Sequence, residues 1–163
     1  MLEKDLLQSG EFKKDRIGSA LRGENPTLLT RMRSGFVFLM DRQFLPGWSV
    51  LTAYPQVKDL NALAADKRSE FLNDMHILGE AIEYVTQPVR MNYSILGNTD
   101  PILHAHVYPR YSWEAPERLQ LPAWLYPLDT HWDNAHWDLS EEHLDLANRL
   151  KQNVEGLMEQ YYQ

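Results

Sequence analysis

The sequence predicts an α+β domain, with helices packed on a small antiparallel sheet. Two β-rich segments, residues 36–40 (FVFLM) and 48–54 (WSVLTAY), are separated only by the turn-rich 41–47, so they most simply pair antiparallel. Residues 67–85 form the strongest helix, because Phe71, Leu72, Met75, Leu78, Ile82 and Val85 recur at three- and four-residue steps with charges between them. Two further strands, 89–96 and 103–108, flank the polar turn Gly97-Asn98-Thr99-Asp100-Pro101. At 163 residues the chain fits one domain, residues 1–163.

The other elements follow in order. Residues 1–24 read as one or two short helices, with Leu6, Leu7, Phe12, Ile17 and Leu21 as an imperfect apolar stripe. Gly23-Glu24-Asn25-Pro26 breaks that pattern, and Ser34-Gly35 opens the first strand. Gln87-Pro88 ends the long helix. Pro109 is expected to stop the strand before it, with Arg110 adding a cation there. A Pro- and Trp-rich segment then runs to Asp138, and its tryptophans are expected to fill a core or an intersubunit contact more readily than to stack a base. Ser140 caps a final helix bearing Leu144, Ala147, Leu150, Val154, Leu157 and Met158 on one face. The sequence contains no repeat, low-complexity tract or linker.

Composition narrows the chemistry. With no cysteine, there are no disulfides, thiolate metal sites or cysteine nucleophiles. A net charge of −7 argues against binding to nucleic-acid polymers. No apolar run reaches the length of a membrane span. The N-terminal residues alternate in charge and lack the apolar centre of a signal peptide, so a cytoplasmic location is expected.

Six histidines are present. In LHAHVY (103–108) side chains alternate between faces, placing Leu103, Ala105 and Val107 on one and His104, His106 and Tyr108 on the other. The apolar set can pack on a core, and the polar set faces an open surface or cleft. The two imidazoles stand about 7 Å apart along the strand. Such a pair can attack phosphorus and bind its oxygens, or hold a metal with further ligands, or lie unused at the surface. The upstream turn suits an anion such as phosphate, through its N–H groups and the side chains of Asn98 and Thr99. His76 reads as structural and His143 receives no role.

Residues 92–111, NYSILGNTDPILHAHVYPRY, resemble the signature of the histidine triad family, and look closest to its bacterial diadenosine polyphosphate hydrolase-like members. The pattern is three alternating histidines followed by two apolar residues and often Pro-Arg, with a Gly-Gln or Gly-Asn turn before it. With residues 36–51 as the paired strands upstream, the likeness spans roughly residues 34–111. It implies a histidine triad-like fold with extra N- and C-terminal helices. It also implies a homodimer acting as hydrolase or transferase on the α-phosphate of a nucleotide or dinucleoside polyphosphate.

Registered on Pro109-Arg110, the resemblance makes His104 the nucleophile that becomes a nucleotidyl-histidine, and His106 the phosphate-binding partner. Gly97, Asn98 and Thr99 fall in the phosphate-contacting turn, and Asp41 falls near the ribose-contacting position. No metal is needed at the nucleophile, while Mg²⁺ can accompany a polyphosphate. The departure is Ile102, which occupies the first triad position and has no ring nitrogen, so an orienting relay would have to come from His131 or His136. Two alternatives stay open: a non-catalytic nucleotide-binding or sensing protein, and a metal site joining His104 and His106 to His131, His136 or Asp129.

Overall fold

The computed structural model describes residues 2–163. Two short helices, α1 (Lys4–Ser9) and α2 (Arg16–Leu21), precede the strands β1 (Leu28–Arg31), β2 (Gly35–Leu39) and β3 (Ser49–Ala53). The long helix α3 (Ala65–Thr86) leads to β4 (Arg90–Ser94) and β5 (His104–Arg110). A strap of short turns then contains α4 (Pro116–Leu119), and α5 (Leu144–Tyr161) ends the chain. The strands form one antiparallel sheet of order β1-β2-β3-β5-β4. The α+β class is therefore as expected.

The sheet has two unlike faces. Val37, Leu39, Leu51, Ala105 and Val107 meet Ile77, Leu78 and Ile82 of α3 and Ala147, Leu150 and Val154 of α5 in the main core. On the opposite face Phe36 and Phe38 pack against Ile17 and Ala20 of α2. Further along that face Tyr108 and Trp48 join Phe44, Ala123 and Tyr126 under the strap. Every residue of β2 is consequently buried.

Several expectations are corrected. Strand β1 carried no alternating pattern strong enough to be expected; it exists because Thr30 and Arg31 pair with Val37 and Phe36. Leu72 is exposed, and the buried stripe of α3 is Phe71, Asp74, Leu78, Ala81, Ile82 and Val85. Asp74 is tolerated there because it accepts hydrogen bonds from the Ser34 N–H and hydroxyl and from the Tyr162 hydroxyl. His76 is exposed beside Glu80 and has no core role. His143 is not idle, since its Nδ1 accepts from the Ser140 N–H at the turn that leads into α5.

Pro109 does not end the ladder. β5 runs on to Arg110, with Pro109 opposite Met91 of β4. The Arg110 carbonyl accepts from Val89 on the β4 side, so the N of Pro109 alternates toward the side where β3 has already ended, at the Ser49–Val107 pair. Arg110 is no free cation either. It is 3% exposed and its guanidinium donates to Glu114, Asn92 and the carbonyls of Leu121 and Arg118. Glu114 also accepts from the Tyr111 N–H and the Tyr126 hydroxyl. This buried pair moors the strap to the end of β5.

Truncating one partner of such a pair leaves the other charge buried and uncompensated. Glu114→Ala should lower the free energy of unfolding by about 3–5 kcal/mol, read from urea denaturation. Loss below about 1 kcal/mol would mean that the strap is held by its apolar contacts instead.

Candidate active site

A cavity of about 370 Å³ opens on the polar face of the sheet, lined by strands, the 96–100 turn, α2 and the strap. From β5 come His104 and His106; from the turn come Gly97, Asn98, Thr99 and Asp100. Phe38, Leu39, Met40 and Val50 supply an apolar wall, and Asp41 and Arg16 stand at its polar end. The cavity thus unites His104, His106, Gly97, Asn98, Thr99 and Asp41.

The alternation of β5 puts both rings on this face, with centroids 5.0 Å apart and planes at 76°. Their surroundings differ. His104 is half-buried, and its Nδ1 lies 2.7 Å from the carbonyl oxygen of Ile102. A carbonyl can only accept, so Nδ1 carries the proton and Nε2 of the neutral ring keeps a free lone pair. His106 is 9% exposed, and its Nδ1 accepts from the indole N–H of Trp48 at 3.2 Å. An indole can only donate, so the proton of the neutral ring sits on Nε2. The two imidazoles therefore hold opposite tautomers. Burial, and then the neighbouring His104, push the pKa of His106 down from 6.5 to about 3.

The polar face is less open than the strand pattern suggested. Trp124 of the strap lies edge-on to His106 at 4.7 Å and stacks at 5.4 Å on Trp132. The expected packing role of the tryptophans holds for Trp132 and Trp137, which join the aromatic cluster; Trp124 belongs both to that cluster and to the cavity wall, and Trp113 is exposed and fills no core. Only the tertiary course of the strap brings it there, and no local pattern signals it. Gln43 is a second residue that the sequence did not single out. Buried in the β2–β3 connection, it donates to the carbonyls of Met40 and Trp48 and accepts from Gly47 N–H, at a turn where Gly47 has φ of 98°.

The 97–100 turn leaves backbone donors unused. Gly97 has φ of 74°, and the N–H groups of Gly97, Asn98 and Thr99 donate to no carbonyl among the described residues. At the far end Asp41 faces cations from the N-terminal segment, with Arg16 at 2.5 Å and Lys13 at 3.6 Å. His131 and His136 do not complete the triad. His131 packs against Phe44, Tyr126 and Trp137, His136 packs against Trp137, and neither lines the cavity. Among the described residues no three potential metal ligands cluster, so the alternative that joined the pair to His131, His136 or Asp129 lacks its third ligand. No described helix is long and apolar enough to cross a membrane.

Comparison with known proteins bears on the fold. No family model matches the sequence, and no curated protein matches it. Solved structures do. A histidine triad protein from Sinorhizobium meliloti superposes with a TM-score of 0.65 at 20% identity, over 77% of this chain and 87% of that one. One from Marinobacter aquaeolei gives 0.63 at 22% identity, over 88% and 95%. A protein from Sulfolobus tokodaii described as a hypothetical histidine triad nucleotide-binding protein gives 0.64 at 11% identity, over 88% and 93%. The chain has the fold of these histidine triad proteins.

The His106 environment makes stability depend on pH. Its folded pKa lies below its unfolded value, so the neutral ring's contribution is full above about pH 6.5 and declines as pH falls toward 3, where the unfolded chain takes up the proton first. His106→Asn should flatten the loss of thermal stability between pH 6.5 and 4, measured against wild type by calorimetry. Parallel curves would contradict the buried neutral ring.

Proposed function

We propose that the chain is a histidine triad-type nucleotide-binding protein that cleaves its ligand at the α-phosphate, as a hydrolase or transferase of the diadenosine polyphosphate hydrolase-like kind. One observation carries this reading: two imidazoles present Nε2 atoms of opposite protonation, a lone pair on His104 and an N–H on His106, beside a turn of unpaired N–H groups. In the first step the Nε2 lone pair of His104 forms the N–P bond, while the bond from phosphorus to the leaving group breaks with its electron pair. His106 Nε2–H and the turn donate to the phosphoryl oxygens as negative charge builds there. The Ile102 carbonyl accepts from Nδ1–H of the ring, which becomes cationic once it is phosphorylated. In the second step water or another acceptor forms the new bond to phosphorus and gives up its proton to the departing group or to solvent, while the N–P electron pair returns to His104.

The apolar wall of Phe38, Leu39 and Met40 suits a base, and Asp41 beside it suits the ribose hydroxyls. These steps need no metal ion at the nucleophile, and Mg²⁺ enters only as a companion of a polyphosphate substrate. The ligand is a nucleotide or dinucleoside polyphosphate, held locally by the turn and His106 because the chain's net charge of −7 is unfavourable to an anion. The protein works in the cytoplasm as a homodimer. β4 is an edge strand, and exposed Val89 and Tyr93 on and beside it offer an apolar contact for a second copy.

A second reading is favoured by Ile102. Without a ring at the first triad position the protein binds and senses nucleotides without turning them over.

His104→Asn separates the two readings. Turnover of a nucleoside phosphoramidate or dinucleoside polyphosphate should fall at least about 10³-fold while the Kd for a nucleoside monophosphate, by calorimetry, stays within a few-fold. Equal activity in the variant would defeat the mechanism, and a wild-type protein that binds but never cleaves establishes the sensor. Val89→Asp with Tyr93→Asp should convert a dimer into a monomer in sedimentation analysis, and an unchanged mass would place the interface elsewhere.

A further inference from the structure

Trp48 lies beneath the cavity floor and is wholly buried. Its ring stacks on Tyr108 at 4.3 Å, and Nε1 reaches His106 Nδ1 at 3.2 Å. The Trp48 carbonyl accepts from the buried Gln43 amide, so the backbone of the connection is held as firmly as the ring. Ile102, two residues before His104, offers no nitrogen to orient either imidazole. His104 is held by the Ile102 carbonyl, and the orienting contact of His106 comes from the opposite side, through an indole.

Building on the nucleotidyl-histidine reading, we propose that Trp48 is the positioning residue of this site, fixing His106 as a permanent Nε2–H donor to the phosphoryl oxygens in place of any relay from the first triad position. The indole N–H has no lone pair in the ring plane to accept with and does not titrate in the working range of proteins. A histidine in that role could donate or accept according to pH, whereas Trp48 can only donate. His106 Nδ1 is thereby held as an acceptor, and the ring can neither flip its edge nor exchange tautomer without leaving a buried indole N–H unpaired.

The groups around His106 add no competing proton. His104 neighbours it on β5, Val50 faces it from β3, Ser94 from β4, and Trp124 from the strap. The charged residues of the cavity are Arg16, Asp41 and Asp100. The donor stays neutral and correctly protonated throughout.

The test is the tautomeric state of the imidazoles in ligand-free wild-type protein, read by two-bond 1H–15N correlation from pH 8 to pH 5. His106 should show a protonated Nε2 and a bare Nδ1 at every pH. A proton on Nδ1, a fast tautomer mixture or a doubly protonated ring would overturn the proposal. Trp48→Phe keeps the aromatic packing and removes only the N–H. It should turn His106 into a tautomer mixture and lower kcat at least about tenfold with little change in KM. A folded variant with unchanged tautomer and kcat would also overturn it, and if the variant does not fold, the wild-type spectra still decide. The two readings fail separately: a His104 adduct in a protein whose His106 carries Nδ1–H removes the role of Trp48 alone, and the expected tautomer without any adduct removes the chemistry alone.

Discussion

Strand β5 is hydrogen-bonded on both sides, to β3 and to β4, and its two faces are committed to different tasks. Leu103, Ala105 and Val107 are buried against α3 and α5, so a slip of one residue would expose all three and drive the imidazoles into the core. The hydrophobic face thus fixes the register, and the register delivers His104 and His106 to the cavity. Further along β5 the face that carries the histidines continues in Tyr108 and Arg110. Tyr108 stacks on Trp48, and Arg110 is locked by Glu114 into the strap that carries Trp124 over His106. One strand therefore sets the floor, the donor and part of the wall of the site.

The chemistry of the pair arises from partners that do not themselves titrate. A backbone carbonyl holds His104 with its lone pair outward, and an indole N–H holds His106 with its proton outward. Neither arrangement uses a carboxylate as the partner of an imidazole. At the polar end of the cavity Asp41 is paired with Arg16 and flanked by Lys13, so its negative field is offset there.

Much of this was legible in the sequence. The strong period of α3, the paired strands around the 41–47 turn and the two-residue alternation of LHAHVY identified the class, the sheet and the two histidines. The GNTDP segment was legible as a turn, because turn chemistry is local, and it lines the cavity. What escaped was long-range. β1 exists only through its pairing with β2, and Pro109 is accommodated only because β3 ends before it. Arg110 reads as a free cation, and Glu114 carries no signal, until the strap folds over them. The roles of Trp48 and Trp124 depend on contacts spanning 58 residues and on the course of irregular turns, for which composition carries no signal. His131 and His136 lie away from the cavity for the same reason, since the course of the strap packs them against Phe44, Tyr126 and Trp137.

The central claim is that His104 is a nucleophile toward phosphorus. Rapid acid-free quenching of the wild-type protein during turnover of a nucleoside phosphoramidate, followed by intact-mass and peptide-mass analysis, measures it directly. The account predicts a mass gain of one nucleotidyl group, mapped to His104 and formed at a rate no slower than turnover. Turnover without that adduct, or an adduct confined to another residue, would contradict it.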